Sequence, residues 1–188
     1  MASPNSRRNS DARDDDLYTT PKWAIDAILK REELDGFTVD AGCGTGNITN
    51  AMIEFGIDQN EIITIDKYCH NYQPDIVMDY CKWHPPIPPK NIISNPPFTL
   101  LIDFILHSLK IADHKVLMFA RINALESKDR YNKIFKDNPP SRIYQFVNRV
   151  SCPKGGSEEG GNAVMYSWLV WDGDNSNTTF HWIEEKSS

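Results

Sequence analysis

The chain has no run of apolar residues long enough to cross a bilayer, no CxxC pair among its four cysteines and no excess of positive charge. Each absence excludes something. Without about 20 consecutive apolar residues there is no membrane-spanning helix to expect, and no signal-peptide pattern opens the sequence. Cys43, Cys69, Cys81 and Cys152 form no even disulfide framework, which predicts reduced thiols and a cytoplasmic setting. Cys69-His70 and Cys81 with His84 match no zinc-finger spacing, so no metal is expected. A net charge of −6 argues mildly against a protein that wraps nucleic acid, because phosphate neutralisation supplies most non-specific affinity. There is no internal repeat.

What is present suits one domain. The 188 residues, 40% of them hydrophobic, are enough for one sizeable core. Residues 1–16, ending in Asp14-Asp15-Asp16, are polar and lack apolar periodicity, which predicts a disordered leader before a domain over 17–188. From there short apolar runs alternate with helical spacing. Helices are expected over Trp23–Leu34, Asn47–Phe55, Phe98–Ile111 and Glu126–Phe135. Strands are expected over Phe37–Asp40, Glu61–Asp66, Ile76–Asp79, Lys90–Ser94 and Lys115–Ala120. Such alternation implies crossovers on a mostly parallel sheet. Ser141–Val150 and Ala163–Trp171 are aromatic, β-prone runs with no helix between them, so an antiparallel hairpin is expected at one side of the sheet. Trp168 and Trp171 read as packing residues.

Asp40-Ala-Gly42-Cys-Gly44-Thr-Gly46-Asn47 falls where the first strand turns into a helix. Glycines there allow positive φ and close backbone approach, and the helix start offers free N–H groups. A dinucleotide fold uses GxGxxG at this turn, whereas here the pattern is GxGxG led by an acid. Asp40 would repel a pyrophosphate and attract an ammonium. Asp66 closes the second strand, where an acid can accept two ribose hydroxyls, and Asp79 ends the third, where it can accept from an adenine amino group. Singly, each acid also reads as a helix cap or a solvated turn. Together, ribose, adenine and ammonium without phosphate describe S-adenosylmethionine better than NAD.

The strand Lys90–Ser94 feeds directly into Asn95-Pro-Pro-Phe98. Two consecutive prolines remove two backbone donors and fix two φ angles, so the chain leaves the strand in a rigid extended turn. Such a turn holds the Asn95 side chain and the Pro96 carbonyl as two acceptors beside the Phe98 ring. An exocyclic amine on a flat base would find both N–H groups accepted and its face stacked. Taken alone, the tetrapeptide also reads as a proline-rich strand exit ending in a core Phe.

In this order, Tyr18-Thr-Thr-Pro21, Asp40-x-Gly42-x-Gly44-x-Gly46, Asp66, Asp79 and Asn95-Pro-Pro-Phe98 resemble the amino-methyltransferases of the class I S-adenosylmethionine-dependent fold. More closely, the chain resembles small DNA adenine-N6 methyltransferases of phages and prophages, over about Tyr18 to Ile183. The resemblance implies a Rossmann-like α/β fold with a mostly parallel seven-stranded sheet and a C-terminal antiparallel hairpin. It implies S-adenosylmethionine as cofactor and methylation of a flipped or single-stranded adenine. By it, Asp40, Gly42 and Gly44 line the methionine end, Asp66 the ribose and Asp79 the adenine. Tyr18 and Pro21 close over the cofactor, and Asn95, also in contact with it, acts with Pro96, Pro97 and Phe98 as the catalytic tetrapeptide. Family members with strong sequence preference usually carry a separate target-recognition region, and none is evident here.

Arg121, Lys128 and Arg149 belong to a stretch, Arg121–Lys154, in which eight bases face three acids. It reads either as a phosphate-contacting surface, with Phe98 on the substrate base, or as a solvated helix face. The partner expected is nucleic acid, DNA first, with the protein a monomer or homodimer. Three alternatives remain: an RNA adenosine methyltransferase, a methyltransferase of glutamine side-chain amides, and a cofactor-binding adaptor without catalysis.

Overall fold

The computed structural model describes residues 17–154, 164–173 and 177–185. The expected leader and most of the 151–162 loop lie outside the described residues. Eight strands form one sheet: β1 (Thr38–Ala41), β2 (Ile62–Asp66), β3 (Ile76–Val77), β4 (Asn91–Ser94), β5 (Lys115–Arg121), β6 (Arg142–Phe146), β7 (Tyr166–Asp172) and β8 (Thr179–Ile183). Their order is β3-β2-β1-β4-β5-β7-β6-β8. The five strands from β3 to β5 pair in parallel, β7 inserts antiparallel between β5 and β6, and β8 joins β6 in parallel.

A strand buried on both faces should read as continuous apolar sequence, and Val116–Ala120 does. Its alternate residues feed two cores. Leu117 and Phe119 pack with α1 (Lys22–Leu29) and α2 (Asn47–Phe55) on one face; Val116, Met118 and Ala120 pack with α3 (Leu101–Ile111) on the other. Trp168 and Trp171 are buried, each indole N–H satisfied by a main-chain carbonyl, Ala24 and Asn138 respectively.

The expected elements are present with four differences. The first helix stops at Leu29 rather than Leu34, because Glu32 turns inward into the ion network described below. The third strand is only Ile76–Val77, and Asp79 caps a 3-10 turn, its carboxylate accepting from the Cys81 N–H at 3.2 Å. The helix expected over Glu126–Phe135 is broken into a 3-10 turn at Ile122–Leu125, the short α4 (Lys128–Arg130) and a π turn at Tyr131–Phe135. Ser127, at φ 112°, caps α4, and Ile134 alone of α4 and the π turn is buried, so little packing enforces a regular helix. The sheet also has eight strands instead of seven. β8 shows no core-facing alternation because four of its five side chains are exposed, and main-chain pairing to β6 defines it.

At the edge where β5 and β6 begin, four charges are packed together. Glu32 and Lys115 are buried and lie 3.0 Å apart; Arg142 bridges Glu32 and Asp172, and the Tyr144 hydroxyl donates to Glu32 at 2.8 Å. Burial works to raise the Glu32 pKa, but hydrogen bonds from Arg142, Lys115 and Tyr144 outweigh it and hold the carboxyl below its ordinary range. A lowered folded-state pKa gives stability that is present above the unfolded value and lost as the pH falls through the folded one. Glu32→Gln leaves Lys115 buried without its counter-charge and is expected to cost about 3–5 kcal/mol in urea unfolding at pH 7. An undiminished midpoint would show the network to be dispensable.

Candidate active site

Strand order reverses between β1 and β4, and a crevice opens at their carboxyl ends, where open α/β sheets bind ligands. A cavity of about 870 Å³ lies there. Its first wall is the turn from β1 to α2. Gly42, Gly44 and Gly46 all have left-handed φ, 68°, 54° and 76°, and Gly46 takes the N-cap position of α2. The Tyr72 ring lies against Gly46 so closely that a Cβ would sit 2.3 Å from it. Glycine is therefore required there for space as well as for conformation.

Asp66, at the end of β2, ties this wall to the next. One carboxylate oxygen accepts from Gly44 N–H at 2.8 Å and the other from Tyr68 N–H at 2.9 Å. Each oxygen keeps a second lone pair. His70 Nε2 is 3.9 Å from the same group. Asp79, Tyr80, Leu100 and Phe104 continue the lining. Across the opening runs a strap, Leu17–Thr20, held by Thr19 N–H on the Pro153 carbonyl at 3.0 Å and by a bridge between Tyr18 and Lys154.

Asn95 follows β4 and also faces the cavity. Its Nδ2 donates to the Tyr18 carbonyl at 2.7 Å. A carbonyl can only accept, so this bond fixes the orientation of the amide and leaves Oδ1 as its acceptor. Pro97 lines the cavity, whereas Pro96 is buried. Phe98 is outside the lining, its ring 5.1 Å from Tyr18 and 6.4 Å from Tyr166. The Arg121 guanidinium sits 3.8 Å over that ring.

Of the residues expected from sequence, Tyr18, Gly42, Gly44, Asp66, Asp79, Asn95 and Pro97 meet around the cavity. Asp40 does not reach it. It is fully buried beneath the turn, where one oxygen accepts from the Thr49 N–H at 3.1 Å and hydroxyl at 2.6 Å while the other has no partner. Pro21 caps α1 and stays outside the lining. Lys128 and Arg149 are exposed on segments that leave the carboxyl ends of β5 and β6. Other bases of that stretch have local tasks: Arg142 is in the ion network, Arg130 donates to the Asn123 and Glu126 carbonyls, and Lys133 pairs with Asp129. Sequence reading missed Tyr68, His70, Tyr80 and Phe104, of which only Tyr68 and His70, close behind Asp66, carried a positional hint. Among the described residues no three His, Cys, Asp or Glu side chains are grouped to hold a metal, and no helix is long and apolar enough to cross a membrane.

Compared by sequence, the chain matches no protein-family model and no curated protein. Compared by structure, it is similar to methyltransferases. One is a putative class I S-adenosylmethionine-dependent methyltransferase from Listeria monocytogenes, with TM-score 0.60 and 12% identity over 88% of this chain and 65% of that one. A second is the methyltransferase subunit of a type I restriction-modification system from Streptococcus thermophilus, with TM-score 0.60 and 12% identity over 88% and 47%. A third is a putative RNA methyltransferase from Pyrococcus horikoshii, with TM-score 0.61 and 14% identity over 83% and 86%. The chain thus spans less than two thirds of the length of the first two. The fold is the Rossmann-like fold of class I methyltransferases, as the sequence implied.

Burial raises the Asp40 pKa to about 7, the two Thr49 hydrogen bonds oppose that, and the charge of Asp66 adds to it. A carboxyl raised in the folded state favours folding below its unfolded pKa, and that contribution is lost as the pH rises through the folded value. Asp40→Asn is therefore expected to flatten the fall in melting temperature between about pH 4 and about pH 7. An unchanged slope would place the titration elsewhere.

Proposed function

We propose that the chain is an S-adenosylmethionine-dependent N-methyltransferase acting on the exocyclic amine of adenine in DNA. The observation that carries this reading is Asn95: its amide is locked by the Tyr18 carbonyl with Oδ1 left to accept, on the same cavity as the glycine turn, Asp66 and Asp79.

The residues present suit the cofactor. Asp66 retains acceptor capacity for ribose hydroxyls although both oxygens are already used, and Asp79 stands further along the same wall beside Tyr80 and Phe104, an apolar lining suited to an adenine ring. The Gly42–Gly46 turn offers close backbone approach at the methionine end, and the strap at Tyr18 covers it. Asp40, in this reading, acts through the turn: it anchors the start of α2 by way of Thr49 and leaves contact with the ammonium to the turn above it. Pro21 contributes by starting α1 where the strap ends. Bound S-adenosylmethionine supplies an electrophilic methyl group.

The chain supplies placement. An adenine amino nitrogen is a poor nucleophile because its lone pair is delocalised into the ring. Asn95 Oδ1 and the Pro96 carbonyl accept its two N–H bonds, so the nitrogen can become tetrahedral with its lone pair freed, and its proton leaves afterwards to water. Pro97 keeps the turn rigid, and Phe98 stacks on the base. Preorganised acceptors and placement of this kind contribute several kcal/mol each. Flipping the base from a duplex costs a few kcal/mol, which a single strand avoids. Lys128 and Arg149, exposed on segments that leave the carboxyl ends of β5 and β6, contact phosphates.

Incubation with methyl-labelled S-adenosylmethionine and, separately, DNA, RNA and protein is expected to label DNA, with N6-methyladenine recovered after digestion to nucleosides. Label in adenosines of RNA would move the substrate to the other polymer, and label in protein would move it to side-chain amides. Asn95→Ala is expected to abolish turnover while cofactor binding persists; full activity in this variant would overturn the mechanism. Lys128→Glu and Arg149→Glu are each expected to weaken DNA binding and lower the slope of log K against log salt by about 1. A constant slope would make those charges solvated.

A further inference from the structure

Arg121 is the last residue of β5 and sits directly opposite Tyr166 on β7. Instead of extending into solvent, its guanidinium lies 3.8 Å above the Phe98 ring and 5.8 Å from Tyr18. Burial pushes the Tyr166 pKa up, and the neighbouring Arg121 cation opposes that shift. Arg121 Nε is buried without a hydrogen-bond partner. Arg31 and Arg142 are paired with carboxylates, but among the described residues none pairs with Arg121. Among the described residues, this cation is held by aromatic faces, with the Tyr166 phenol close by.

A separation of 3.8 Å is stacking contact, so no flat ring fits between the guanidinium and Phe98. A base that stacks on this face of Phe98 must take the place of Arg121. The buried, unpaired Nε makes the present position poorly satisfied, and exposed Lys128 and Arg149 mark the side from which a polyanion would approach. We propose that Arg121 is a specificity-determining residue of the acceptor pocket: it occupies the base position on Phe98 and yields it to a substrate whose own phosphate receives the displaced guanidinium. A nucleobase joined to a phosphate backbone satisfies both halves of the exchange, since a guanidinium binds phosphate with a fork of hydrogen bonds. A free base or an uncharged amide satisfies only one. This rests on the reading that the acceptor is a nucleobase stacked on Phe98.

The test is equilibrium binding with the cofactor cavity saturated by S-adenosylhomocysteine, using 9-methyladenine and a single-stranded adenine-containing oligonucleotide as probes. Arg121→Ala is expected to bind 9-methyladenine about tenfold tighter than the unaltered chain and the oligonucleotide about tenfold weaker. Arg121→Lys, which keeps the charge and loses the plane, is expected to gain for 9-methyladenine while retaining the oligonucleotide. Adding Phe98→Ala to Arg121→Ala is expected to erase the gain. If 9-methyladenine binds Arg121→Ala and Arg121→Lys no tighter than the unaltered chain, the guanidinium is a fixed part of the platform and the proposal falls. Failure of the underlying functional reading shows separately, as absence of methyl transfer to any polymer by the unaltered chain, and the 9-methyladenine titration still reports on Arg121.

Discussion

A single hydrogen bond, from Asn95 Nδ2 to the Tyr18 carbonyl, joins parts of the chain 77 residues apart and gives the candidate site its form. It draws the strap across the cavity, and it sets which end of the Asn95 amide is offered to a ligand. A side-chain amide free to rotate would present donor and acceptor alternately. Here the donor half is committed, so the acceptor half is available without reorganisation, which is what a site that must hold N–H groups requires. Asp66 does the same for the opposite wall, fastening the Gly44 and Tyr68 N–H groups to one carboxylate.

The parts of this arrangement that were legible in the sequence are those in which the backbone itself dictates residue type. Three left-handed positions at a strand-to-helix turn demand glycine, and α2 begins and ends at the residues its caps predict. Two prolines after a buried strand demand an extended exit. What stayed hidden depends on contacts between distant segments. Nothing near Asp40 in the sequence says that it is sealed under the turn, and nothing near Arg121 says that β7 will place Tyr166 opposite it and leave it stacked on Phe98. Tyr80 is a core residue, with its hydroxyl on Ser108 at 2.7 Å, and it also forms part of the cavity wall. The last strand escaped because pattern reading looks for a buried face, and β8 is held by its main chain.

Charge is divided between the two edges of the sheet. At the edge where β5 and β6 begin, Glu32, Lys115, Arg142 and Asp172 neutralise one another in close contact. At the other edge, Arg121, Lys128 and Arg149 have no such partners among the described residues. The overall charge of −6 conceals this asymmetry. An acidic protein can therefore still offer a locally positive surface, because within about a Debye length of the surface the nearest charges govern the field.

The strap has a further consequence for how the site comes into being during synthesis. The walls of the cavity are made of residues from Gly42 to Phe104, which leave the ribosome early, and the strap itself leaves earlier still. Its anchor, at Pro153 and Lys154, emerges long afterwards. Until that segment arrives, Leu17–Thr20 lacks its attachments to Pro153 and Lys154, and β5 lacks the neighbour that places Tyr166 against Arg121. A nascent chain can thus form the glycine-turn half of the sheet well before it owns a complete cavity, so the candidate site is finished late in the life of each molecule.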